Sequence, residues 1–273
     1  MSAQTKFNDI GFLADESSTN QVAQKVTESE YFKVCLNLNK LAQSTLNKAV
    51  VHPDDRKEVY ATLYFQRMLS HYQAILIMAE RCMLHQVEIM LRCMLETLFD
   101  LVAFHKDNDL FEALVMGDSA QRLEMLKRLR KQQQTKATYT HEELADLDKT
   151  IASAEDIDRE DFKIYMKADL AGMLHEYRTT YAILSQTVHS AVNSLEVDLI
   201  YSDIHDGIMG MNAYGQKTGE LSTLLMTSAN YMLVGLDMQL STFPNSDKSA
   251  DVIQLNNDIQ AEWEKVVVSA IPH

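Results

Sequence analysis

Apolar residues recur along this chain at three- and four-residue intervals almost throughout, the spacing that lines one face of an α-helix. A first helix is predicted over Glu30 to Lys48, with Phe32, Leu36, Leu38, Leu41 and Leu46 among its apolar positions. The stretch HPDDRKEVY opens a second: Pro53 suits a first turn, and Asp54 and Asp55 complement the helix dipole. That helix should run to about Arg81. After the short connection MLHQ, a third helix is predicted over 86–106, and so short a link implies an antiparallel hairpin of two long helices. KDND ends it, and one or two helices follow over 109–134. Thr140, with Glu143 three residues on, forms a capping box for the next. A long helix is then expected over about 160–191, bent near Gly172, followed by the glycine-dense loop HDGIMGMNAYGQKTG. A long apolar helix from about Lys217 to Thr242 ends at FPNSD, and a last amphipathic helix covers 249–268. The pattern predicts an all-α protein: an elongated helical bundle built on the antiparallel long-helix hairpin. Residues 1–28 read as a flexible N-terminal arm, 29–243 as the bundle domain and 244–273 as a C-terminal helical extension.

Composition supports that picture. Apolar residues are 46% and charged residues 23% of 273, enough for a full core, and 8 Gly with 3 Pro leave few turn-makers for a sheet protein. The 15 methionines suit adaptable helix–helix surfaces, so a homodimer is expected. Cys35, Cys82 and Cys93 lack finger or CxxC spacing and read as reduced, buried structural thiols. The first residues lack the charged and apolar regions of a signal peptide, and no apolar run approaches the roughly 20 residues of a membrane helix. Both predict a cytoplasmic protein with no membrane contact. A net charge of −14 repels nucleic acid on average. Any RNA contact would need a local patch, and RLEMLKRLRKQQQTK (122–136) supplies one, with six basic residues against one Glu. A solvated helix surface is the plainer account of that stretch.

The polar residues on the long helices narrow the question of function. In EIMLRCMLETLFDLVAF (88–104), Arg92 and Glu96 interrupt an apolar helix four residues apart. Glu88, Arg92, Glu96 and Asp100 form one slowly winding stripe. It could face solvent, laced by i,i+4 ion pairs of about 0.2–0.5 kcal/mol each. It could equally face a cleft, where Arg92 would bind an anion and Glu96 would hold Arg92 in place. Arg178, Ala182, Ser185 and His189 form a second stripe, beside an apolar one of Leu174, Tyr177, Tyr181, Leu184 and Val188. His189 can donate or accept a proton near neutral pH, which suits general acid–base work, although a lone His beside an apolar face is more often a hydrogen-bonded core residue. Ser185 has no visible activating set and is no nucleophile on this pattern. Arg67 and His71 repeat the four-residue spacing on the preceding helix.

Asp198, Asp203, His205 and Asp206 could supply metal ligands, but no Glu-x-x-His pair repeats on matching helices, and HQVE (85–88) is reversed and unpaired. No metal site and no cofactor are expected, since phosphate loops, dinucleotide fingerprints and nucleophile elbows are all missing.

The combination resembles the bacterial all-helical family catalogued as domain of unknown function 5677. The likeness rests on Arg67, His71, Ala74 and Ile75; on Leu91, Arg92, Leu95 and Glu96; and on Tyr177, Arg178, Leu184, Ser185, Val188 and His189. It spans roughly 55–243 and implies a helical bundle with a recurring polar set. That family is in turn loosely similar to HEPN-type helical domains, many of them metal-independent ribonucleases of bacterial conflict systems that act as dimers. Those enzymes place four to six residues between an Arg and a His. Here Arg67 and His71 are separated by three, Arg81 and His85 by three, and Arg178 and His189 by ten, so the resemblance departs at the motif itself. Two functions are expected from these readings. The first is an RNA-directed effector of phage-defence type. It would use His189 as acid or base, Arg92 on phosphate and Glu96 orienting Arg92, with Arg67, His71, Arg178 and Ser185 binding substrate. The alternative is a non-catalytic interaction or sensor module in which the same residues form a buried network that fixes helix register.

Overall fold

The computed structural model describes residues 11–13, 21–106, 110–133, 138–155, 163–189, 192–196, 199–201, 207–211, 218–243 and 249–270. It is an all-α protein. A 3₁₀ turn at Gly11–Leu13 precedes α1 (Gln21–Thr27), α2 (Glu30–Lys48), α3 (Arg56–Glu80), α4 (Leu84–Lys106), α5 (Leu110–Gln133), α6 (His141–Glu155) and α7 (Ile164–Leu170). Helix α8 comes in three continuous pieces: Leu174–Glu176, a π-helical turn over Tyr177–Tyr181, and Ala182–Val188. Then come α9 (Val192–Glu196), a short hairpin of β1 (Leu199–Tyr201) and β2 (Ile208–Met211), α10 (Thr218–Thr242) and α11 (Ser249–Ala270).

Two compact units result, one from residues 1–102 and 175–273, the other from 103–174. In the first, α3 and α10 pack along each other, α2 lies against both, and α11 closes on α10 and α2. Each helix contributes a stripe at helical spacing: Phe32, Cys35, Leu38 and Ala42 from α2; Phe65, Met68, Leu69 and Tyr72 from α3; Leu225, Met226, Ala229 and Met232 from α10. Tyr72 carries its hydroxyl into this core and donates it to the Cys35 carbonyl at 3.1 Å, which satisfies a group that would otherwise cost free energy to bury. Gly235 lets α10 approach α3, because a Cβ there would meet the Met68 sulfur at 2.5 Å. In the second unit α5 packs on α6, and Gly172 follows α7 with a positive φ.

Local chemistry explains the helix ends. Asp55 is the N-cap of α3, its carboxylate accepting from the N–H groups of Lys57 and Glu58, so Pro53 lies outside the helix rather than in its first turn. The capping box at Thr140 forms as expected: Glu143 Oε2 accepts the Thr140 N–H at 2.8 Å, and Thr140 Oγ1 accepts the Glu143 N–H at 3.3 Å. Two expectations need correction. The helix expected over 160–191 is broken into α7 and α8, because Gly172 takes a left-handed conformation (φ 68°) that ends α7. Part of the loop expected after His205 is strand instead, with Leu199 facing Met211 and Ile200 facing Gly210 in antiparallel register. A two-stranded hairpin this short does not change the fold class. Among the described residues, no helix is long and apolar enough to cross a membrane.

Candidate functional site

The polar row of α4 is neither isolated nor turned to bulk water, for α8 packs along it. Arg92 is the centre. Its Nε donates to Ser185 Oγ at 3.1 Å, and its Nη2 donates to the Tyr181 hydroxyl at 2.7 Å. The same Nη2 lies 3.0 Å from Glu96 Oε1, with the two side chains 17% and 29% exposed, so the pair sits in a seam between helices. The Tyr181 O–H donates to Glu96 Oε1 at 2.8 Å, which closes a ring of three mutual contacts. The guanidinium also lies over the Tyr181 ring, 4.8 Å from its centroid. Ser185 donates to the Tyr181 carbonyl at 2.8 Å. One turn toward the start of α4, Glu88 Oε2 accepts from Thr187 Oγ1 at 3.1 Å and lies 3.1 Å from His85 Nδ1.

The π-helical turn carries Tyr181 into this position. Within it Thr179 Oγ1 donates back to the His175 carbonyl at 2.7 Å, an alternative bond that competes with regular helix. Such wide turns inside helices occur frequently at functional sites. From the far side, Tyr231 of α10 donates to Thr180 Oγ1 at 3.3 Å and holds the turn in place.

Electrostatics follow from burial and from Glu96. Burial, then the hydrogen bond to Glu96 and its charge, push the Tyr181 phenol up to about 12, so it is a donor and not a base at neutral pH. His71 on α3 is half-buried, and burial followed by the nearby Arg67 charge lowers its pKa, while Glu96 pulls the other way. Its imidazole is therefore held toward the neutral form. Burial and then the Glu96 charge raise the Cys93 thiol, which keeps it protonated and unreactive.

The structure thus brings Arg92, Glu96 and Ser185 into direct contact, with His71 within electrostatic reach of Glu96. His189 is exposed at the C-terminal end of α8, its backbone N–H bonded to the Ser185 carbonyl at 3.1 Å. Arg67 and Arg178 are exposed on their helices. Tyr181, read from the sequence as part of an apolar stripe, is the hub of the network. The signal for it was its hydroxyl, which needs a partner when the ring is buried. Thr187 and His85 were likewise not singled out for the site.

In the basic stretch, Lys127 pairs with Glu155 at 2.8 Å, and Arg130 forms a two-pronged pair with Asp148 at 2.6 and 3.0 Å. Arg122, Arg128 and Lys131 are exposed, and Lys136 lies outside the described residues. So do the metal-ligand candidates Asp198, Asp203, His205 and Asp206. Among the described residues no cluster of three or more His, Cys, Asp or Glu could hold a metal ion.

A family model described as "Family of unknown function (DUF5677)" matches residues 58–207, which is more than half of the 273-residue chain and includes all seven candidate residues. No curated protein and no solved structure matches the chain.

Proposed function

Because the chain belongs to the Family of unknown function (DUF5677), its activity has to be read from the polar cluster, and we propose an RNA-directed effector that seats a phosphodiester on Arg92 beside His189. One observation carries the reading. A guanidinium has five N–H donors, and three contacts fix Arg92 through Nε and Nη2 without using Nη1. An arginine already locked in place, with one nitrogen left over among the described residues, binds an anion at little entropic cost. Exposed His189 follows one turn after Ser185 on the same helix, where it can exchange protons with solvent or substrate.

In this reading the ribonuclease reaction is a metal-independent transesterification. His189, in its neutral form, takes the proton of a ribose 2′-OH. The 2′-oxygen attacks phosphorus as the bond to the 5′-oxygen breaks, and that oxygen takes a proton from solvent water as it leaves. The products are a 2′,3′-cyclic phosphate and a 5′-hydroxyl. Arg92 stabilises the charge gathering on the phosphoryl oxygens, and Glu96 with Tyr181 holds Arg92 in place. Exposed Arg67 and Arg178 help to hold substrate, and in the second unit exposed Arg122, Arg128 and Lys131 offer phosphate contacts of their own. The HEPN-like likeness, the homodimer and a cytoplasmic role in phage defence belong to the same proposal.

The closed ring of Arg92, Tyr181 and Glu96 favours a second reading, because its three members bond one another without any ligand. A non-catalytic interaction or sensor module would need no more than that. The test is cleavage of mixed cellular RNA in EDTA by wild type and His189→Ala. His189 is exposed, so its removal should leave the melting temperature unchanged while abolishing cleavage. Wild-type protein that leaves RNA intact would sink the ribonuclease and leave the structural module.

A further inference from the structure

The cluster has an aromatic flank that phosphate binding leaves unused. Tyr177 and Tyr181 belong to one π-helical turn, and their rings stack with centroids 5.1 Å and planes 20° apart. Tyr181 is spent: its ring lies under the Arg92 guanidinium and its hydroxyl serves Arg92 and Glu96. Tyr177 is half-buried, and its hydroxyl makes no hydrogen bond among the described residues. Arg178, its chain neighbour, is exposed. An aromatic ring backed by a second ring that itself lies under a fixed guanidinium, with an exposed arginine following it in the chain, combines the parts single-stranded nucleic-acid sites use, where rings stack bases and cations follow the backbone.

We infer that Tyr177 is a stacking step for a nucleobase whose own phosphate sits on Arg92, so that the site takes an unpaired nucleotide unit. The inference rests on the phosphate reading of Arg92 and adds the base to it. Backing by Tyr181 keeps the Tyr177 ring from turning, so little order is lost when a base lands on it. Bases inside a duplex already stack on one another and have no face to offer. The chemistry, one base with its phosphate, is common to a free nucleotide and to single-stranded RNA.

The test compares two labelled oligomers by fluorescence anisotropy in EDTA on the full chain. One is a 2′-O-methylated oligoadenylate about twelve nucleotides long, which cannot be cleaved, and the other is its abasic counterpart. Wild type should bind the oligoadenylate about ten-fold more tightly than the abasic chain. Tyr177→Leu should lose that preference while keeping its abasic affinity, and Tyr177→Phe should keep both. Arg92→Gln should weaken binding of both oligomers. Equal binding of the two oligomers by wild type, or a preference that survives in Tyr177→Leu, overturns the base step. The phosphate reading then stands if Arg92→Gln still weakens both. If neither oligomer binds, both readings fall together. Should Tyr177→Leu melt early, photocrosslinking an iodouridine oligomer to wild type decides: a crosslink at Tyr177 supports the step, and one elsewhere overturns it. Adenosine monophosphate that displaces the oligomer identifies a free nucleotide as the ligand, and failure to displace it identifies the strand.

Discussion

At the scale of the residue, Tyr181 shows what sequence reasoning can and cannot reach. Arg92 with Glu96, and Ser185 on a second helix, were legible because charged or hydroxyl side chains stand out against apolar helices at four-residue spacing. Tyr181 was hidden, since a buried ring counts as apolar while its hydroxyl does the bonding. Its environment makes a prediction about pH. The folded-state phenol of Tyr181 titrates at about 12, above the ordinary 10, and Tyr72 and Tyr231 are raised too, burial being the first cause in all three. A raised group binds its proton more tightly in the fold than in the unfolded chain, so its contribution is complete below pH 10 and is lost as pH climbs toward 12. Thermal stability should therefore fall steeply above about pH 10. Tyr181→Phe should flatten part of that fall, at a cost near neutrality of about 1–2 kcal/mol for the two hydrogen bonds it removes. Melting curves from pH 7 to 11, with tyrosinate absorbance recorded alongside, check both. A variant whose alkaline limb matches wild type would show that Tyr181 is not held as described.

At the scale of the element, the caps were legible and the interruptions were not. Thr140 and Glu143 carry a recognisable signature, whereas nothing in HEYRTTY announces a π turn, which depends on packing against α4 and α10. The turn between α3 and α4 holds a second hidden feature. Cys82 takes a left-handed conformation (φ 54°) at a place where helices usually put glycine, with the Met83 N–H closing onto the Met78 carbonyl at 3.0 Å. Burial raises its thiol to about 11, so it is packed and unreactive. Cys82→Gly and Cys82→Ala both remove the thiol, but only glycine relieves the backbone, so Cys82→Gly should be the more stable by about 1 kcal/mol. Gly172 is the converse case. At φ 68° an alanine is strained, and its Cβ would lie 2.5 Å from Lys106 Nζ, which now donates to the Ala171 carbonyl at 2.6 Å. Gly172→Ala should cost about 1–2 kcal/mol. Denaturant titration of the three variants tests the pair, and a Gly172→Ala protein as stable as wild type would contradict the left-handed cap.

At the scale of the whole molecule, helical periodicity is strong enough over twenty-residue stretches to make an all-α fold readable, because each helix buries a stripe whatever its neighbours are. How those helices divide into two units was not readable, since α4 and α8 each run across the boundary without a break in pattern. Charge is the other property at this scale. With a net −14, the molecule opposes a polyanion on average, and any contribution of the basic stretch must come from those of its cations that are not already paired. Lys127 and Arg130 are answered by Glu155 and Asp148, which leaves Arg122, Arg128 and Lys131 as the exposed cations of the stretch among the described residues. Each phosphate contact made with a single strand steepens the dependence of log affinity on log salt by about 0.7. Replacing the exposed trio by glutamine should therefore flatten the slope by about 2, uniformly across RNA sequences. Replacing Lys127 and Arg130 should not flatten it, because their removal frees two carboxylates and releases no counterion from the RNA. Equal slopes for wild type and the trio variant would take the basic stretch out of RNA binding and leave Arg92 to carry the proposal alone.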